Sequence, residues 1–533
     1  MNTNPNSVKQ NTPFAANAFF ALLLAVMSIY FVWWGLGYTY QQQVVLFLVA
    51  TFFGIFMAFN IGGNDVANSF GTSVGAGTLT VTQALIIAAI FEVSGAVLAG
   101  AAVTDTIRSG IVDISGLNIS PNQFIYVMLS ALIAAAFWLL FATKKGLPVS
   151  TTHAIIGGIV GSSIVLGIMT GGTQLAFSTV KWSKIVDIAM SWVLSPLLGG
   201  ILSYLLYGFI KKHILMYNDR TEEQIKALKA EKKQLKRSQK EYFESLDEAA
   251  KLTYTAAMLR DQELYQEGDC TRDELETEYY RGLYDVEHRR SGIDTLKALK
   301  TWVPLLAALG SVVMTSLVVF KGLANTNLKL STIQAVLVMG MIGTIIYLTA
   351  YVYTKSIRGK HKEDLAKATF IMFSWMQVFT ACAFAFSHGS NDIANAVGPF
   401  VAIMDVIRNN AIEAKAVVPS AVMVTFGVSL IVGLWFIGKE VIQTVGTNLT
   451  EMHPASGFAA ELAAAAVVMG ASTIGLPVSS THILVGAVLG IGVVNKSTNW
   501  KLMRPIALAW VITLPAALVM SGLAFLALNA IFG

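Results

Sequence analysis

This chain is short of charge. Asp, Glu, Lys and Arg together make up 13% of its 533 residues, about half the share of an ordinary soluble domain. That charge is also gathered in one place: 18 of the 37 basic and 19 of the 32 acidic residues lie between Lys211 and Lys300. A soluble globular protein is thereby excluded for the rest of the chain. Cysteine is almost missing, with Cys270 and Cys382 alone, so neither a disulfide framework nor a thiolate metal site is available. No GxxxxGK(S/T) nucleotide loop occurs, which removes support for ATP-driven pumping. Nothing suggests a buried Ser/His/acid hydrolase either, and the chain is read as no enzyme and as needing no cofactor.

What is present is apolar sequence, 55% of the whole. Crossing about 30 Å of hydrocarbon takes roughly 20 helical residues. Runs of that order lie near 17–39, 43–61, 82–104, 122–142, 185–210, 302–321, 331–354, 368–388, 417–438 and 505–532. The segments 148–169, 456–474 and 476–494 are also apolar but are interrupted by Gly, Pro, Ser and Thr. None alternates as a membrane β-strand does. The expected fold class is all-α: a polytopic membrane protein of about 10–12 transmembrane helices, with two inverted repeats and two re-entrant helical hairpins. The first run exceeds a signal-peptide core and is read as a retained helix.

Basic clusters mark the cytoplasmic side. They are Lys144-Lys145, Lys211-Lys212, Lys297 with Lys300, and the group Lys355, Arg358, Lys360, Lys362 and Lys367. The charged insert is then cytoplasmic, and the Asp105–Pro121 connection faces the other way. This divides the chain into a tail and extra helix (1–42), a first repeat (43–210), the insert (211–300) and a second repeat (301–533). From Thr221 to Leu259 the insert lacks Pro and Gly, and Ile225, Leu228, Leu235, Tyr242, Leu246 and Ala249 follow a heptad-like spacing. A helical hairpin is expected there, serving either as a homodimer contact or as a solvated spacer. Its nearly balanced charge argues against a nucleic-acid partner.

Two polar motifs recur in the same order inside this apolar sequence. Gly62–Gly77 reads GGNDVANSFGTSVGAG and Gly389–Phe400 reads GSNDIANAVGPF; Gly146–His153 reads GLPVSTTH and Gly475–His482 reads GLPVSSTH. Two repeats facing one central site is the organisation of many secondary transporters. Asn64, Asp65 and Asn68 share a helical face, as do Asn391, Asp392 and Asn395, and their oxygens suit a hard cation. Glu92 and Glu461 are further acids inside apolar runs, each without an acidic counterpart in the other half. A carboxylate at such depth needs a cavity, a cation or a partner. Arg108 and His388 are the basic residues able to approach Asp65 or Asp392.

The second motif is complementary. Pro148 and Pro477 precede hydroxyl runs, Ser150-Thr151-Thr152 and Ser479-Ser480-Thr481, that open new apolar segments. Ser and Thr cap helix starts, so each motif is expected to be a hairpin tip with a helix beginning near Ser150 or Ser479. The free N–H groups and positive dipole end there attract an anion, and two tips can clasp a small multivalent anion. His153 and His482, lacking a neighbouring metal-ligand motif, are read as residues for packing or for hydrogen bonding behind the site.

At these motifs the chain resembles the inorganic phosphate transporter family of sodium–phosphate symporters and related proton-coupled or sulfate carriers. The match covers roughly 45–210 and 300–530 but not the insert. The resemblance implies that Asp65, Asn68, Asp392 and Asn395, with Ser150, Thr151, Thr152, Ser479, Ser480 and Thr481, bind phosphate. It implies sodium ligands among Asn64, Asp65, Asn391, Asp392, Glu92 and Glu461. The intact NDVANSFGT and both glutamates look closer to sodium-coupled members than to proton-coupled ones. Phosphate and two aspartates repel: like unit charges about 4 Å apart cost about 4 kcal/mol at an effective dielectric near 20. Co-bound cations relieve that cost, so cation symport with alternating access is the expected mechanism. A proton-coupled phosphate, metal-phosphate or sulfate symporter is the alternative of the same class, and an anion channel or membrane sensor the alternative of another.

Overall fold

A backbone in hydrocarbon must satisfy its own N–H and C=O groups, so each apolar run folds as a helix. The computed structural model describes residues 14–112, 119–317, 319–320, 330–356, 365–413, 418–444 and 450–533, and among these not the side chains of Asn68, Ser109, Leu317, Gln443 and Leu502. Arg358, Lys360 and Lys362 of the last basic cluster therefore lie outside the described residues, as do residues 113–118 of the Asp105–Pro121 connection. Among those described, twelve helices are long and apolar enough to cross a membrane. They begin with Phe14–Tyr38 and end with Met503–Phe532. The run near 82–104 is divided: Val81–Ala99 stops at Gly100 and a second helix, Ala101–Ser109, follows.

Two compact units emerge. One takes the described residues of Met1–Gly208, Ala308–Thr344 and Met372–Gly533; the other takes Phe209–Ala307 and Ile345–Ile371. The second unit holds the charged insert, whose helices Met216–Ser245, Glu248–Glu267 and Glu278–Ser291 are separated by sequence breaks. The heptad-like spacing read from Ile225 to Ala249 is interrupted at Leu246, where the backbone extends and Asp247 caps a new helix by accepting from Ala250 N. The hairpin partner is instead Glu278–Ser291. Its Gly282 sits against Leu235, and Arg289 pairs with Glu231 at 2.5 Å. Buried Asp261 ties the connection down, accepting from the backbone N–H groups of Glu276 and Thr277 at 2.8 and 2.7 Å.

In the first unit both GLPVS motifs are tips between antiparallel helices. Pro121–Lys144 leads into Thr151–Gly171, and Pro454–Thr473 leads into Ser480–Asn495. The chain reverses through Gly146 and Gly475, whose φ values of +64° and +68° disfavour any side chain. Each tip helix then packs on the closing helix of the other half. Carbon added at Gly161 would sit 2.2 Å from Leu518 O, and at Gly490 2.3 Å from Gly200 O. Small residues that let backbones approach are the usual device for packing helices without a hydrophobic driving force. The two halves are thus interleaved rather than placed side by side. Gly161→Val should cost about 1–3 kcal/mol by overpacking, seen as a lower thermal unfolding midpoint in detergent; an unchanged midpoint would contradict the crossing.

Candidate functional site

The first NDxAN motif sits where a helix changes pitch. Val44–Ile61 passes through a π-helical turn, Gly62–Val66, into Ala67–Gly75. Such turns often mark functional sites. In the second half, the helix Leu365–Asp392 ends at the motif, and Ala394–Asn409 continues after it. Every described motif residue from Asn64 to Thr481 named as a ligand above is buried, Asp65 and Asp392 being 1% exposed.

Ser150 and Ser479 act as the expected caps, accepting from His153 N at 3.1 Å and His482 N at 3.2 Å. The hydroxyls just beyond them converge on the aspartates. Thr151 donates to Asp65 Oδ2, and its counterpart Ser480 donates to Asp392 Oδ2. Thr481 reaches across from the second half to Asp65 Oδ1 at 2.9 Å. Thr152 donates to Val478 O at 2.9 Å, and Asn395 Nδ2 reaches Thr151 and Thr152 Oγ1 at 3.1 and 3.3 Å. Four blocks far apart in sequence therefore meet in one buried polar cluster shared by both halves. The buried Asn395 Oδ1 has no protein partner there. The Asn68 side chain lies outside the described residues.

Asn64 is placed differently from Asp65. Its amide donates to Thr143 Oγ1 and Leu147 O, and its oxygen accepts from Val149 N, all at 3.0 Å. It clamps the tip backbone. Asn391 repeats the theme with Ser472 Oγ and Val478 O, and also donates to Asp392 Oδ1 at 3.0 Å. Thr143 and Ser472 each stand five residues before the tip proline, a third matched pair that sequence reasoning overlooked.

The two unmatched glutamates lie in separate networks. Glu461 accepts from Thr72 at 2.7 Å, Ser73 at 2.5 Å, Gln377 at 3.1 Å and Thr380 at 2.8 Å. Thr72 and Ser73 lie within the quoted motif, and Gln377 and Thr380 are polar interruptions of an apolar run; either signal could have drawn attention to them. Glu92 Oε2 lies 2.8 Å from His388 Nδ1, and His388 Nε2 lies 2.7 Å from Asp392 Oδ2. His388, not Arg108, is thus the base that reaches Asp392, while Arg108 lies 3.8 Å from Asp105. His153 and His482 stack edge to face, 4.6 Å apart, each 3.9 Å from a tryptophan, Trp192 or Trp510. Of the two roles expected of them, this is packing. Among the described residues, the one His/Cys/Asp/Glu group near enough to hold an ion is Asp65, His388 and Asp392, with ligand atoms within 4.8 Å of one another.

Twelve membrane-length helices among the described residues, with a buried cluster of carboxylates, amides and hydroxyls shared between their two halves, are the architecture of a membrane transport protein. The chain matches the phosphate transporter family over residues 61–521; it belongs to that family. It is 56% identical over 514 residues to a protein of Mycobacterium bovis named as a phosphate permease, covering 96% of this chain and 93% of that one. It is 32% identical over 467 residues to the chloroplastic inorganic phosphate transporter 2-1 of Arabidopsis thaliana, covering 87% and 69%. A solved structure described as the sodium-dependent phosphate transporter superposes with a TM-score of 0.69 at 28% identity, covering 92% of this chain and all of that one.

Proposed function

We propose that the chain imports inorganic phosphate by sodium symport, the two repeats exchanging access to the central polar cluster. The observation that carries this reading is the meeting of Asp65 and Asp392 with hydroxyls from both tips. Without a counter-ion, two carboxylates leave a phosphate dianion no favourable place. With sodium bound at Asp65 and Asp392, the tip helix starts face a neutralised floor and attract the anion through their N–H groups. Because Asn64 and Asn391 hold the tips, they couple what happens at the aspartates to tip position. The sodium dependence stated for the structurally similar transporter supports the choice of cation. Each net positive charge carried inward gains about 2.3 kcal/mol per 100 mV of membrane potential.

Reconstituted protein in proteoliposomes, given sodium and pH gradients separately, tests this directly. Labelled phosphate should accumulate uphill under the sodium gradient and compete with arsenate but not sulfate. Accumulation driven by the pH gradient alone would select the proton-coupled alternative, and non-saturable flux a channel. Replacing Thr151 and Thr152, or Ser480 and Thr481, by Ala should raise the phosphate half-saturation about tenfold or more, since each charge-assisted hydrogen bond is worth about 1.5–3 kcal/mol. Unchanged half-saturation would contradict the anion site.

The insert is assigned to the cytoplasm by its basic flanks. Cys270 lies in it and is partly exposed, whereas Cys382 lies in an apolar helix. A membrane-impermeant thiol reagent should therefore label Cys270 in inside-out vesicles and leave it unlabelled in right-side-out ones; the reverse pattern would invert the topology.

A further inference from the structure

Glu92 and His388 do not belong to the repeat. Four residues before the motif aspartate, the second half has His388 where the first has Ile61. The backbone of Glu92 meets Gly389 as that of Leu430 meets the equivalent Gly62, so the second half has Leu430 where the first has Glu92. The fold itself therefore does not demand either residue, because the equivalent places in its other half are filled by Ile61 and Leu430. The helix contact that brings the two together is itself repeated, Gly62 meeting Leu430 O and Gly433 meeting Phe59 O in the other pair, so what is particular to this one is the Glu and the His. Carbon added at Gly389 would lie 2.1 Å from Glu92 O, and at Gly95 2.0 Å from Phe386 O. Backbone contact between the two helices is what sets the Glu92 carboxylate beside the imidazole.

The result is a fully buried chain of three groups. Glu92 Oε2 meets His388 Nδ1 at 2.8 Å, and His388 Nε2 meets Asp392 Oδ2 at 2.7 Å. That same Asp392 oxygen receives the Ser480 hydroxyl of the second tip. The Glu92 carboxylate hydrogen-bonds His388 through Oε2, and its buried Oε1 has no hydrogen-bond partner among the described residues. An imidazole held at one nitrogen has its ring plane fixed, and its other nitrogen then fixes what it touches.

Resting on the symport reading, we infer that Glu92 and His388 are positioning residues for Asp392: Glu92 orients His388, and His388 holds the Asp392 carboxylate against Asp65 and the second tip in the shape that sodium requires. Glu92 then serves the cation site through His388 rather than as a ligand of the ion. Outer-shell partners of this kind typically change cation affinity by about 10–100-fold when replaced.

The amide nitrogen of Gln stands near the Nε2 position of a histidine ring, and that of Asn near Nδ1, which allows the two contacts to be separated. Full-length protein in proteoliposomes is assayed for labelled phosphate uptake against sodium and phosphate concentration in His388→Asn, His388→Gln, Glu92→Gln and the Glu92→Gln/His388→Gln double variant. His388→Asn should raise the sodium half-saturation about 10–100-fold while the maximal rate at saturating sodium is largely kept. His388→Gln should restore it towards wild type. Glu92→Gln should raise it in the His388 protein and add nothing in the His388→Gln background, the non-additivity expected of residues acting in series. A lower maximal rate or lower membrane content without a shift in sodium half-saturation would overturn the proposal. So would an equal effect of Glu92→Gln in both backgrounds. If wild-type uptake ignores sodium, the symport reading itself has failed. The same variants are then compared by phosphate half-saturation, which His388→Asn should raise and His388→Gln should not, through Asp392 and Ser480; equal values would again overturn it.

Discussion

Asp65→Asn and Asp392→Asn are each expected to abolish sodium-driven phosphate uptake while the protein still inserts and folds. The substitution keeps side-chain volume and leaves an acceptor oxygen. Thr151 and Thr481 can rotate their hydroxyls to suit an amide at position 65, and Ser480 can do the same at position 392. What the amide cannot do is neutralise a cation. Removing one partner of a buried charge pair typically costs about 3–5 kcal/mol, over a hundredfold in affinity. At ordinary sodium concentrations that leaves the site empty of cation and closed to phosphate. The measurement is the initial rate of labelled phosphate uptake, with membrane content and unfolding midpoint followed alongside. Wild-type-like uptake by either variant would remove the aspartates from the cation site.

Glu461 is expected to separate fold from transport. Its four donors, Thr72, Ser73, Gln377 and Thr380, come from the helix after the first motif and the helix before the second. Glu461→Ala strands all four in a buried setting. At about 1–3 kcal/mol for each unsatisfied group, even partial relaxation leaves several kcal/mol of destabilisation, and little folded protein should reach the membrane. Glu461→Gln retains the Oε1 acceptor for Thr72, Ser73 and Gln377, and Thr380 can turn its hydroxyl to accept from the amide. That variant should be present at near-normal levels yet respond poorly to sodium. Loss of both properties in Glu461→Gln would show that the carboxylate charge is structural alone, and retention of the sodium response would remove Glu461 from the cation site.

Much of this site was legible in the sequence because its parts are local. A capping serine after Gly-Leu-Pro-Val determines where a tip helix starts, since the orphan N–H groups of that helix are three residues away. Asp65 and Asp392 stand out because ionised groups are costly at membrane depth, and two copies of NDxAN mark them as a pair. The extents of most helices likewise follow from hydrophobic length alone. Asn64 shows the limit: its residue type suited a cation, but the structure gives its amide to Thr143, Leu147 and Val149. The partners of Glu461 and Glu92 were less legible still. Thr72 is 389 residues from Glu461, and His388 is 296 from Glu92.

By itself the sequence determined the class of protein, its helices, its repeat, the two tips and the acids to be explained, because each follows from hydropathy, capping and charge within a turn or two of chain. The tertiary structure alone decided which half satisfies which acid. Each tip helix packs against the closing helix of the other half, and Gly389 meets Glu92 backbone to backbone. Such encounters depend on how closely helix surfaces fit, which no periodicity within a single helix encodes.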